Sequence, residues 1–299
     1  MSKDNKKKEL PIKTKLEEAK DNVANVTINL PKKLIKDSKE KALKQLQKQA
    51  EIKGFRKGNA PLEKVEEHFG SQKVNSTLLD QILPQTITQT LEEHDLSLVG
   101  NPRLTKLVNP DDEDWEISLQ LPLLPEIDLG DYRKDIKDAL AASDIWTPGK
   151  GDEEQKPQEK AQTQQQKLNK IFEVLKEKID FEVPQPIIES EVQRSLSRLV
   201  GQTEQLGVSV EEYLESIGKT ADELKEQYTK TAKENLKLEL IIEKIVQEMD
   251  IEVDSEEVDK MINASGDENA KKQLDNPNQR AYVKSILKKR KAIDSLLNL

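Results

Sequence analysis

Gly54-Phe55-Arg56-Lys57-Gly58-Asn59-Ala60-Pro61 sets two glycines around an aromatic residue and two cations, and closes on a proline. Glycine enters turn conformations that other residues resist, and proline is favoured in the first turn of a helix, so the segment reads as a loop between two helices. Spacing alone leaves two uses open for its centre. Phe55 is either presented for insertion into a partner's groove, with Arg56 and Lys57 placed for phosphate or carboxylate contacts, or packed back as core while the cations are simply solvated.

The residues before the loop set its frame. Ile12 to Leu16, a polar turn at Lys20-Asp21-Asn22 and the alternation Val26-Thr27-Ile28-Asn29-Leu30 predict a β-hairpin that ends at Pro31. From Lys32 the period becomes helical down to Gly54, with Leu34, Ala42, Leu46 and Ala50 on one face and Lys41, Lys44 and Lys48 on the other. Between Lys32 and Lys57 ten Lys/Arg stand against Asp37, Glu40 and Glu51, a local charge of +7 in a chain of formal net charge −9. The remainder carries −16, so the positive charge reads as one localised patch.

After the loop, a helix starting at Pro61 and running through Leu62, Val65 and Phe69 to Gly70 is expected. A third follows from about Lys73 to His94, with Val74, Leu78, Ile82 and Ile87 inward and a kink at Pro84. Arg103 to Val108 and Trp115 to Leu121 read as strands joined by the turn Asn109-Pro110-Asp111-Asp112. Residues 1–132 therefore read as an α+β domain. Residues 133–166 read as a flexible polar linker, because Thr147-Pro148-Gly149-Lys150-Gly151 to Gln166 is almost free of apolar residues. Residues 167–299 read as all-α, opening with Leu168, Ile171, Phe172, Leu175 and Ile179. Ser209 with Glu212 and Thr220 with Glu223 mark two helix starts as capping boxes.

Composition narrows the chemistry. Charged residues make up 35% of the 299, against about a quarter in ordinary globular domains, so the cores should be thin. No cysteine occurs, which removes disulfides and thiol nucleophiles, and ten scattered aromatics argue against an aromatic-lined ligand pocket. No apolar stretch approaches a membrane span or a secretory h-region, and a cytoplasmic location is expected. There is no phosphate-binding G-x-x-x-x-G-K-[ST] loop, so no nucleotide is expected. His68 and His94 each follow a Glu-Glu pair at a helix end and read as surface residues. The expectation is of no catalytic residue, no cofactor and no metal.

The loop from Gly54 to Pro61 resembles the G-F-R-x-G-x-x-P signature of bacterial trigger factor. The resemblance continues in Leu96 to Pro102 with Leu104, in Leu124-Pro125-Glu126-Ile127, in Asp180 to Pro184 with Ile187 to Glu191, in Gly207 to Leu214 and in Ile251 to Val258. It implies an N-terminal ribosome-binding domain and a C-terminal helical domain that holds clients. Gly54, Phe55, Arg56, Lys57, Gly58 and Pro61 would then form the docking site for an exit-tunnel protein and ribosomal RNA. Lys41, Lys44 and Lys48 either add salt-sensitive attraction to RNA phosphates or form a solvated helix face. The implied partners are the ribosome and unfolded nascent polypeptides, without nucleotide or membrane, and homodimerisation of the free protein is left open. Members of the family usually carry an FKBP-like prolyl-isomerase domain between these two regions. Here only some thirty residues with Trp146 as their sole aromatic stand in its place, too few to enclose a proline pocket. The expected function is therefore an ATP-independent ribosome-associated chaperone. The rival readings are a prolyl isomerase and an RNA-binding protein centred on Lys32 to Lys57.

Overall fold

A computed structural model describes residues 10–17, 19–110, 113–143, 157–264 and 276–299. The chain divides into two compact units, one comprising Met1–Leu124 with Pro184–Ile187, the other Pro125–Val183 with Ile188–Leu299.

The first unit is a sheet with helices on one face. Strands β1 (Lys13–Leu16), β2 (Val23–Leu30), β3 (Arg103–Val108) and β4 (Trp115–Pro122) form an antiparallel sheet in the order β1-β2-β4-β3. Alternation along β2 and β4 puts Ala24, Val26, Ile28 and Leu30 directly opposite Leu121, Leu119, Ile117 and Trp115, all of them buried. The intervening Asn25, Thr27, Asn29, Glu116, Ser118 and Gln120 make the other face polar. Asp21 and Asn22 both adopt positive φ, 53° and 59°, at the turn between β1 and β2, the pattern that matches strand twist in a tight hairpin.

Helix α1 (Lys32–Gln49) covers the apolar face with Ile35 and Ala42, and its exposed amide at Lys32 is capped by Asp114 Oδ1 at 2.8 Å. It stops at Gln49, short of the expected Gly54, because Ala50 is extended and turns the chain into the loop. Helix α2 (Leu62–His94) joins the two expected helices through the single non-helical residue Gly70, φ 76° and ψ 155°. The kink expected at Pro84 lies instead at Gly70: Pro84 keeps helical dihedrals, since its fixed φ suits a helix, and its carbonyl accepts from Thr88 Oγ1 at 2.9 Å. Pro61 likewise precedes the helix rather than starting it, with ψ 144°.

Two cores result. Ile35, Ala42, Leu78, Leu79 and Ile82 pack on the sheet, while Leu43, Leu46, Ala60, Val65 and Val74 form a separate cluster joined by Ile52, Leu62 and Phe69.

The second unit is all helical: α3 (Tyr132–Ser143), α4 (Pro157–Lys178), α5 (Gln185–Leu206), α6 (Val210–Ile217), α7 (Ala221–Glu248), α8 (Ser255–Asn263) and α9 (Pro277–Leu297). This unit begins at Pro125, seven residues before the end of the expected first domain at 132. Ile127, Leu129, Tyr132 and Ile136 are buried, and Tyr132 donates its hydroxyl proton to Glu248 Oε1 of α7 at 3.2 Å. Arg133 Nε donates to the same Tyr132 oxygen at 3.1 Å, and burial raises the Tyr132 pKa above its ordinary value.

Within the span 133–166 expected as a linker, α3 occupies the start and α4 begins at Pro157. The Gln, Lys and Glu that make the stretch polar are also good helix formers, so the helix runs beyond its apolar stripe. Residues 144–156 lie outside those described.

α3 packs on α4, α4 on α7, and α9 on α4, α7 and α8, burying Ile136, Ile171, Leu175, Ile179, Ile241, Ile245 and Leu296. Both expected capping boxes form, Ser209 with Glu212 and Thr220 with Glu223, and a third at Asp254 with Glu257 opens α8. The basic segment 32–57 is not alone, since α9 carries Arg280, Lys284, Lys288, Lys289, Arg290 and Lys291. Much of that second charge is consumed within the unit: Arg280 pairs with Asp259, Lys289 with Glu239 and Lys291 with Glu257, all within 2.7 Å. Such surface pairs contribute little each but fix which helix faces meet.

Candidate functional site

The segment from Ile52 to Asn59 folds as two consecutive turns. The amide of Phe55 donates to the Ile52 carbonyl at 3.0 Å, and the amide of Asn59 donates to the Arg56 carbonyl at 3.0 Å. Gly54 (φ 90°) and Gly58 (φ 84°) occupy the third position of each, while Lys53 and Lys57 at the second position keep negative φ. That combination is the type II turn, whose third residue needs positive φ and therefore glycine. The sequence thus repeats Lys-Gly at a spacing of four because the backbone turns twice in the same way.

Both ends of the double turn are anchored. Ile52 and Ala60 belong to the small cluster with Leu43, Leu46 and Val65, and Gln47 Nε2 donates to the Ala60 carbonyl at 2.6 Å. Phe55 is outside that cluster and 44% exposed, so the ring is not packed as core. Arg56 and Lys57 flank it, both exposed, and Lys57 lies 3.4 Å from Glu51. Pro61 is exposed at the far end, and Gly58 is half-buried.

Lys41, Lys44 and Lys48 lie exposed along α1, opposite buried Ala42, Leu43 and Leu46. They are not equivalent. Lys44 sits 2.5 Å from Glu40, whose carboxyl is held below the usual range by that hydrogen bond and charge, whereas Lys41, Lys48 and Arg56 have no ion-pair partner among the described residues. Lys53, one of the ten cations of the basic segment but not among the expected docking residues, is a further exposed cation at the tip. Its signal was the Lys-Gly repeat, which places Lys53 and Lys57 at matching positions of the two turns.

The residues set aside as non-catalytic are dispersed. His68 stacks edge-on against Phe69 with ring centroids 5.0 Å apart, and His94 Nε2 lies 2.9 Å from Thr14 Oγ1 of β1. No group of three His, Asp or Glu suited to a metal occurs among the described residues. Nor is any helix among them long and apolar enough to cross a membrane.

A second feature lies in the helical unit. Helix α6 has no fully buried residue, although Val210, Tyr213, Leu214 and Ile217 form an apolar stripe at helical spacing; the first three are half-buried and Ile217 is exposed. Val200 and Leu206 at the end of α5 and Val208 in the following turn are also exposed, Leu206 at 77%. Periodicity could not distinguish this stripe from core, because both uses demand the same spacing.

Two family models match the chain, Bacterial trigger factor protein (TF) over residues 12–142 and Bacterial trigger factor protein (TF) C-terminus over residues 152–298. The chain belongs to the bacterial trigger factor family. Trigger factors of Rickettsia massiliae and Listeria welshimeri are 30% identical over 107 residues and 27% identical over 119 residues, covering 36% and 40% of this chain. These matches span 24% and 28% of the two relatives' own length. A solved structure of the trigger factor chaperone, described for promiscuous substrate recognition in folding and assembly, shares the fold at a TM-score of 0.58 and 16% identity, covering 96% of this chain and 99% of that one. The two family matches are separated only by residues 143–151, which leaves no room between them for a domain of about a hundred residues.

Proposed function

We propose that the protein is an ATP-independent chaperone that docks on the ribosome through the 54–61 loop and holds emerging polypeptides on its helical unit. The observation that carries this reading is the double turn itself. Two glycine-dependent turns hold an exposed phenylalanine beside an arginine that has no ion-pair partner among the described residues, on a platform with its own small core. An aromatic ring fixed between cations suits a ribosomal protein groove bordered by RNA phosphates. Lys41 and Lys48 extend the positive surface along α1 and add salt-dependent attraction to RNA. The acidic charge of the rest of the chain limits this to one face and disfavours a general RNA-binding role.

Client holding falls to the helical unit, where α6 and the end of α5 offer apolar side chains to extended chains. Contacts of this kind are individually weak, so release needs no nucleotide. The protein works in the cytoplasm at the ribosome, without an FKBP site. Cosedimentation with ribosomes, comparing wild type with Phe55→Ala/Arg56→Ala/Lys57→Ala, tests the docking half, and equal recovery of both in the pellet defeats it. Suppression of aggregation of a chemically denatured client, without ATP, tests the holding half. Turnover of a proline peptide by the purified chain would return the isomerase reading to the front.

A further inference from the structure

A polar residue interrupts the buried stripe at the end of α1. Gln47 stands four residues after Leu43 and three before Ala50, on the side of the helix that buries both. It is half-buried, and the hydrogen bond from its Nε2 to the Ala60 carbonyl, 2.6 Å long, joins residues thirteen apart. The double turn from Ile52 to Asn59 lies wholly between these two partners, so the bond closes the base of the loop. Ala60 is buried, and a buried carbonyl left without a donor costs more than the hydrogen bond itself contributes. A second polar tie in the segment, Lys57 to Glu51 at 3.4 Å, joins two exposed side chains and contributes little.

We propose that Gln47 is the positioning residue of the docking loop. By holding the Ala60 carbonyl against the last turn of α1, it keeps the two ends of the loop together and both turns, with Phe55 where they meet, in the docking conformer. Apolar contacts place Ile52 and Ala60 in the small cluster, but such contacts have no direction and leave the chain free to swivel about its ends. A hydrogen bond to one carbonyl fixes direction as well as distance. An apolar residue at 47 would suit the stripe and leave that carbonyl unpaired, whereas glutamine reaches it with an N–H. The inference rests on the docking half of the proposed function and adds to it a residue that acts through the loop.

The test uses the full chain with Gln47→Met, which keeps the length and loses the donor, Gln47→Glu, which sets a carboxylate against the carbonyl, and Gln47→Lys, which restores a donor. Amide hydrogen exchange at Phe55 and Asn59, the two turn donors, reads opening of the loop by NMR without any ribosome. Exchange at both should be about tenfold faster in Gln47→Met, faster still in Gln47→Glu and near the wild-type rate in Gln47→Lys, with β2 and β4 unchanged in all three. Ribosome Kd from cosedimentation should rise by up to the same factor in Gln47→Met, while its thermal unfolding moves little because methionine suits the apolar stripe. Unchanged exchange at both amides in Gln47→Met and Gln47→Glu overturns the inference. Equal speeding in Glu51→Ala also overturns it, since the loop would then yield to any change at its base. Faster exchange with wild-type Kd, while Phe55→Ala/Arg56→Ala/Lys57→Ala fails to dock, removes Gln47 from docking and leaves the docking reading intact. If that triple variant docks like wild type, the docking reading falls by itself, and the exchange rates still decide whether Gln47 holds the loop.

Discussion

Replacing both turn glycines, Gly54→Ala together with Gly58→Ala, removes no charge and no aromatic ring, yet should weaken ribosome docking strongly. Neither site is crowded: a Cβ built on either residue meets nothing within 4 Å. The cost is therefore backbone strain alone. Positive φ costs a residue with a side chain about 1–2 kcal/mol, and alanine's stiffer unfolded chain returns about 0.4–1 kcal/mol, leaving roughly 1 kcal/mol per turn. Some 2 kcal/mol across both turns lowers the ratio of presented to relaxed loop by about thirtyfold. Apparent Kd rises by up to the same factor, since only the presented conformer docks. Cosedimentation or anisotropy against labelled ribosomes at fixed salt reads the change directly. Thermal unfolding should move little, because Ile52 and Ala60 stay anchored in their own cluster. Gly54→Asn/Gly58→Asn should fall between, because asparagine tolerates positive φ better than alanine. If the double alanine protein docks as tightly as wild type while Phe55→Ala/Arg56→Ala/Lys57→Ala does not, the ribosome reads the side chains without regard to the double turn, and the argument from backbone geometry is wrong.

Lys41→Ala and Lys48→Ala should each reduce the slope of log binding constant against log salt by up to about 0.7–0.9, whereas Lys44→Ala should change it less because Glu40 already neutralises that ammonium. The carboxyls of Glu212 and Glu223 are held below their ordinary value of 4.5, first by the backbone amides of Ser209 and Thr220 and then by their side chains. A carboxyl lowered in the folded state stabilises it above the unfolded pKa, and that contribution disappears as pH falls through the lowered value. The melting temperature of the helical unit should therefore drop with acidification below about pH 4.5, and less so in Glu212→Gln/Glu223→Gln, as a melting series against pH would record. Ile136→Ala, deleting a fully buried side chain of α3, should destabilise the helical unit by about 2–5 kcal/mol in denaturant titration. An effect near zero would mean that α3 is not part of its core.

Much of this molecule could be read from pattern, and the misreadings have physical causes. Strands β2 and β4 were legible because one buried face imposes strict alternation from Ala24 to Leu30 and from Trp115 to Leu121. The capping boxes were legible because the side chain and the amide it satisfies lie within four residues. Pro84 misled, since a proline whose ring is accommodated leaves helical dihedrals intact, while Gly70, about two turns into α2, supplied the break. The polar stretch from Pro157 shows a different limit of pattern: absence of apolar residues predicts absence of a core, not absence of a helix. At the site, Phe55, Arg56 and Lys57 could be singled out by composition. The orientation of the ring could not, because exposure depends on Leu43, Leu46 and Val65 filling the cluster without it.

Gly70 has an effect that reaches beyond the shape of α2. It stands between a first piece of helix that serves the docking platform and a longer piece that gives Val74 to the platform and serves the sheet from Leu78 onward. The two cores consequently need not melt in step, and the platform can loosen for a moment while the sheet stays intact. Residues 51–70 are thus open to change under a new set of rules. Substitutions there are screened by what the tip must grip, whereas substitutions in the sheet are screened by whether the unit folds, so the grip can be retuned without redesigning the body that carries it.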